Sequence, residues 1–79
     1  MDRLAFMPKD LKRSLTIAGH RTSLSLEPEF WEALRGAADL RKMSVAELVS
    51  EIDQTRGDRN LSSAIRVWLL KDQNRLLRG

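Results

Sequence analysis

Apolar and polar positions alternate from Arg21 to Leu26. Leu24 and Leu26 fall on one phase; Arg21, Ser23 and Ser25 fall on the other. Strand side chains point to opposite faces in turn, so this predicts a short strand with one apolar and one hydrogen-bonding face. Pro28 follows where a helix can begin, because proline fixes φ and tolerates the first turn. Phe30, Leu34, Ala37 and Ala38, with Trp31 beside them, then predict a helix over residues 28–41. Glu29 and Glu32 suit its positive N-terminal end. Gly36 weakens this helix by about 1 kcal/mol relative to alanine and permits a close helix contact. Ser44 and Glu47 match a capping box. Val45, Leu48, Val49 and Ile52 continue as a second apolar stripe, and Gly57 is the expected left-handed stop. Asn60 can cap a third helix, with Leu61, Ala64, Ile65, Trp68 and Leu69 inward and Leu76-Leu77 as an extension.

An earlier alternation runs from Arg13 to Ile17, with Leu15 and Ile17 on one side and Ser14 and Thr16 on the other. Ala18-Gly19 interrupts it. Two readings stay open: a second strand turning back at Gly19, or one long strand with a glycine bulge. Residues 1–12 are expected to form an N-terminal arm, with Leu4, Phe6 and Met7 as a small apolar group. Residues 13–56 would form the core, and 57–79 a C-terminal helix with a basic tail. A lone strand needs a ladder partner. A second copy of the chain can supply it, with the Leu24/Leu26 faces covering a shared helical core that includes Trp31. The faces of Arg21, Ser23 and Ser25 would then form one polar ribbon, of a width that fits the DNA major groove.

Arg21 to Leu34, followed by Met43 to Val49, resembles the ribbon-helix-helix (Arc/MetJ-type) DNA-binding domains, over roughly residues 20–55. The block from Lys12 to Leu26, with Asn60 to Arg66, resembles a bacterial subgroup that extends this core at both ends. The resemblance implies a mainly α fold with a short β part. It also implies an intertwined dimer joined by an intermolecular antiparallel ribbon. The third helix is an addition to the minimal pattern, expected to cover apolar surface on the dimer.

At 79 residues the chain is one domain at most. A core this small is marginal alone, and oligomerisation is a common remedy. There are no cysteines, which excludes disulfides, thiolate metal sites and a cysteine nucleophile. No run of about eighteen apolar residues occurs, so no membrane span is expected. The first twelve residues are too polar for a secretory signal, and the expected location is the cytoplasm. The net charge of +3 is unevenly spread. Residues 1–21 carry five basic and two acidic groups, 22–56 carry four and seven, and 57–79 carry five and two. Basic ends around an acidic middle suit an anionic partner.

No enzyme constellation is present in the pattern, and no cofactor or metal is expected. The single histidine, His20, sits beside the strand and away from carboxylates. Asp53 and Asp58 lack partners at metal-ligand spacing. For DNA, Arg21 is the main candidate for base reading, since arginine pairs with guanine through two hydrogen bonds. Ser23 and Ser25 are weaker, adaptable readers. The start of the second helix, at Ser44 and Val45, offers free backbone N–H groups to a phosphate, a role the family resemblance implies. Lys12, Arg13 and His20 add attraction to the backbone. The leading expectation is a homodimeric transcriptional regulator that places a β-ribbon in the major groove of double-stranded DNA. The alternative is an antitoxin-like or adaptor protein whose C-terminal helix binds a partner protein. A third is a dimer of this type that serves protein interaction only.

Overall fold

A computed structural model describes residues 11–78. The expected arm, including Leu4, Phe6 and Met7, lies largely outside them, as does Gly79. Two strands, β1 (Leu11–Ile17) and β2 (His20–Leu26), are followed by α1 (Pro28–Leu40), α2 (Val45–Gln54) and α3 (Leu61–Arg78).

The strands pair antiparallel within one chain, from Leu11 opposite Leu26 to Ile17 opposite His20. Ala18 (φ 53°) and Gly19 (φ 84°) close the hairpin. Two successive positive φ values give the two-residue turn whose twist matches a right-twisted ribbon. This resolves the open reading of Ala18-Gly19 in favour of a turn. The ladder partner of β2 in this structure is β1 of the same chain, so β2 needs no second copy on that edge. β1 also begins at Leu11, two residues before the expected core boundary.

The hairpin's inner phase is buried. Ile17, Leu24 and Leu26 join Trp31 and Leu34 of α1, Leu48, Val49 and Ile52 of α2, and Ile65 and Leu69 of α3 in one core. Burying a leucine such as Leu26 contributes about 1.5–3 kcal/mol. Trp31, expected in a dimer core, packs in the chain's own core. Its indole Nε1 donates to the carbonyl of Leu11 at 2.8 Å.

α1 starts at Pro28 with Glu27 as cap residue; the backbone N–H groups of Phe30 and Trp31 donate to the Glu27 carbonyl. It ends in a Schellman turn. Lys42 (φ 57°) holds the left-handed position, and Met43 N–H reaches the Ala38 carbonyl at 3.0 Å. α2 opens with the expected capping box: Ser44 Oγ accepts from Glu47 N–H at 3.0 Å, and Ser44 N–H donates to Glu47 Oε1 at 2.7 Å. It closes at Gln54, earlier than expected, and Gly57 (φ 65°) belongs to the loop beyond. Asn60 caps α3, with Oδ1 accepting from Ser63 N–H at 2.8 Å. The expected inward stripe of α3 is realised: Ala64, Ile65 and Leu69 are buried, and Leu61 and Trp68 are half-buried.

Asp72 is buried on α3, and Oδ1 accepts from Arg41 at 2.6 Å and Arg75 at 2.7 Å. Arg41 also lies 4.9 Å over the Trp68 ring. Burial pushes the Asp72 carboxyl up, but the hydrogen bonds from Arg75 and Arg41 outweigh it and hold the group below its ordinary value. These contacts fix the end of α1 against α3.

Candidate nucleic-acid interface

Residues directly opposite in a ladder share a face. Lys12 lies opposite Ser25, Ser14 opposite Ser23, and Thr16 opposite Arg21. These six side chains make the outer face of the hairpin. All are exposed except Ser25, which is half-buried. Strands rise about 3.4 Å per residue and lie about 4.8 Å apart, so Arg21 and Ser25 stand some 13–14 Å apart along one edge. Lys12 and Arg21 occupy diagonal corners of the strip. The face carries two cations and four hydroxyls and no carboxylate.

The expected phase of β2 holds: Leu24 and Leu26 are buried, while Arg21 and Ser23 are exposed. Ser14 and Thr16 belong to the same face and were not singled out as readers. Their phase was legible in the alternation of β1, but joining them to β2 depends on the turn at Ala18-Gly19. Arg13 departs from its expected setting. It shares the inner phase with Leu15 and Ile17, and its guanidinium lies 5.1 Å over the Trp31 ring. His20 also has the inner phase, yet it is exposed at the turn.

In a ladder closed by a two-residue turn, the backbone groups of Arg21, Ser23 and Ser25 point away from β1. The Ser25 carbonyl on that edge accepts from Ser62 Oγ of α3 at 2.9 Å. Just beyond, Glu27 takes Arg66 Nε at 2.9 Å, and Arg66 lies 5.7 Å over Phe30. The hydrogen bond from Arg66, with one from Glu27's own backbone, lowers the Glu27 carboxyl below its ordinary value. α3 thus anchors the end of β2 that carries Ser25.

Ser44 and Val45 stand at the other candidate contact. Ser44 is exposed, and the capping box uses its hydroxyl and the Glu47 N–H. The N–H groups of the first turn ahead of Glu47 have no intrahelical partner and can meet an anion. Val45 lines an open cleft of about 310 Å³ beneath the hairpin, together with Leu11, Arg13, Leu15, Trp31 and Arg35. Arg35 is a cation near this helix start that the sequence reading did not single out.

A hairpin with a polar outer face, followed by two packed helices, is a ribbon-helix-helix arrangement. The family model of the ribbon-helix-helix domain matches residues 11–73, and the chain belongs to that family. The match runs well into α3, so the third helix is within the family's span. Members of the family are typically DNA-binding regulators or antitoxins. The chain is also similar to a solved structure, an uncharacterized protein from Bordetella pertussis Tohama I. They share 33% sequence identity with a TM-score of 0.74, over 89% of this chain and 60% of that one. The chain therefore spans less than two thirds of that protein's length. No curated protein matches.

No helix among the described residues is long and apolar enough to cross a membrane.

Proposed function

We propose that the chain is a sequence-specific DNA-binding regulator that acts as a homodimer and inserts its hairpin into the major groove. The observation that carries this reading is the division of the hairpin into a buried apolar face and an exposed polar one. A two-stranded ribbon is narrow enough for a groove about 12 Å wide. On this reading Arg21 pairs with a guanine edge, and Ser23 and Ser25 make adaptable base contacts. Ser14 and Thr16 extend the same surface. Lys12, at the diagonal corner, meets phosphate. The N-terminus of α2 at Ser44 and Val45 clamps the backbone on the flank. His20 sits at the ribbon tip, within reach of a phosphate. Arg13 can add only secondary attraction while it covers Trp31.

A second reading is an antitoxin-like or adaptor protein that binds a partner through α3. The exposed leucines of α3 favour it. Genome-wide recovery of bound DNA, with identification of co-purified proteins, separates the two. The regulator reading expects a recurrent DNA sequence and no stoichiometric partner. A stoichiometric partner with no DNA enrichment would replace it with the adaptor reading.

A further inference from the structure

The end of α2, the loop after it and the middle of α3 enclose a small cleft of about 170 Å³. Arg56, Arg59 and Lys71 line it, alongside Thr55 and Trp68. No carboxylate is among the lining residues. The acidic residues nearest in sequence are engaged or lie outside. Asp53 takes Arg56 Nε at 2.6 Å, and Asp72 is buried against Arg41 and Arg75. Asp58 does not line the cleft. Asp53 thus offsets the charge of Arg56. Arg59 and Lys71 remain as two exposed cations with no carboxylate in ion-pair distance among the described residues.

The chain's own bonds hold this loop in shape. Arg56 Nη1 donates to the Arg59 carbonyl at 2.8 Å, and Arg59 N–H donates to the Arg56 carbonyl at 3.3 Å. Gly57 (φ 65°) supplies the left-handed position between them, and Asn60 caps α3 just beyond. The Arg56 guanidinium carries five N–H donors, and its bonds to Asp53 and Arg59 use two. Trp68 adds a neutral donor. Its indole N–H has no hydrogen-bond partner among the described residues, whereas that of Trp31 is taken by Leu11. Donors fixed in advance lose little freedom when a ligand arrives.

We infer that this cleft binds the dianionic phosphoryl group of a small phosphorylated molecule. A phosphate monoester carries about −1.5 to −2 charges at pH 7 and three acceptor oxygens. That matches two unpaired cations and a fan of N–H donors; a carboxylate brings about half the charge. Pockets that enclose a whole drug-sized ligand measure roughly 300–1,000 Å³. This cleft is smaller, so it takes the head group and leaves the rest of the molecule in solvent. α2 has 10 residues, which sets its C-terminal end about 15 Å from the end that carries Ser44. The cleft is therefore distinct from the candidate duplex contact at Ser44 and Val45.

The test is heteronuclear NMR of the full chain titrated with inorganic phosphate at fixed ionic strength. The pH is held at about 7.5, where the dianion dominates. The chain has 2 tryptophans, and Trp31→Phe assigns their indole N–H signals. The Trp68 signal is expected to shift saturably in the millimolar range, and the Trp31 signal to stay in place. Arg59→Gln and Lys71→Gln should each weaken binding by about tenfold, since each removes a charge-assisted hydrogen bond. Both side chains are exposed, so far-UV circular dichroism should be unchanged. Acetate should bind more weakly than phosphate. No saturable shift of Trp68 overturns the inference. So does phosphate binding that both variants leave intact, which would place the anion elsewhere. Acetate bound as tightly as phosphate overturns the assignment to a dianion. A short duplex that shifts the Trp68 signal where phosphate does not would replace the small molecule with the DNA backbone.

Discussion

The indole N–H of Trp31 donates to the backbone carbonyl of Leu11 across 2.8 Å, joining the first turn of α1 to the first residue of β1. Leu11 precedes Lys12, so this bond holds the outer corner of the ribbon against the helical layer. Trp31→Phe keeps most of the buried ring but removes the donor. The expected cost is about 0.5–1.5 kcal/mol, the net worth of one hydrogen bond. Urea unfolding reads it as a lower midpoint at unchanged slope. An unchanged midpoint would mean that the core alone fixes the edge of β1.

The cap of α2 has two expected consequences. Ser44→Ala removes the acceptor for Glu47 N–H and should destabilise the chain by about 0.5–2 kcal/mol. If the helix start also holds a phosphate, affinity for every duplex should fall by a similar factor. Thermal unfolding and DNA titration of the same variant decide this. Loss of stability with unchanged affinity would leave Ser44 a cap only.

Two non-glycine residues sit in the left-handed region, Ala18 in the hairpin turn and Lys42 at the end of α1. Each costs about 1–2 kcal/mol relative to glycine, less the extra chain entropy that glycine loses on folding. Ala18→Gly and Lys42→Gly should therefore each raise stability by about 0.5–1 kcal/mol. A lower Tm for Ala18→Gly would show that the turn has another geometry in solution.

Acid should unfold the chain partly through Asp72. Its carboxyl is held below the ordinary value by Arg75 and Arg41 against the opposing effect of burial. A depressed folded-state value gives stability that is present above the unfolded value, near pH 4, and lost as pH falls through the folded one. Asp72→Asn should flatten that acid limb and cost about 1–3 kcal/mol at neutral pH. An acid limb identical to wild type would assign the pH dependence to other carboxylates.

Much of this fold was legible because the signals were local. The phase of Arg21–Leu26, Pro28 at the start of α1, the Ser44/Glu47 box and Asn60 before α3 each depend on neighbours within a few residues. The hairpin was not settled in advance. Ala18 is a poor residue for a positive-φ turn, so only Gly19 signalled it, and a bulge fitted as well. From that followed the omission of Ser14 and Thr16 from the candidate face. Arg13 was read by its charge. Its packing over Trp31 depends on a contact eighteen positions away, which periodicity does not report. The Asp72 pairing with Arg41 was invisible for the same reason.

The central claim is that Arg21 reads a base while Lys12 only attracts the backbone. The direct measurement is titration of wild type, Arg21→Ala and Lys12→Ala against a selected duplex and a scrambled one at two salt concentrations. Arg21→Ala should lose about 1–3 kcal/mol on the selected duplex and relax preference at one position per half-site. Lys12→Ala should weaken both duplexes alike and flatten the salt dependence. If Arg21→Ala lowers both affinities equally, Arg21 is a phosphate contact and base reading lies elsewhere. If neither variant changes any affinity, the outer face of the hairpin is not a DNA-binding surface, and the account fails.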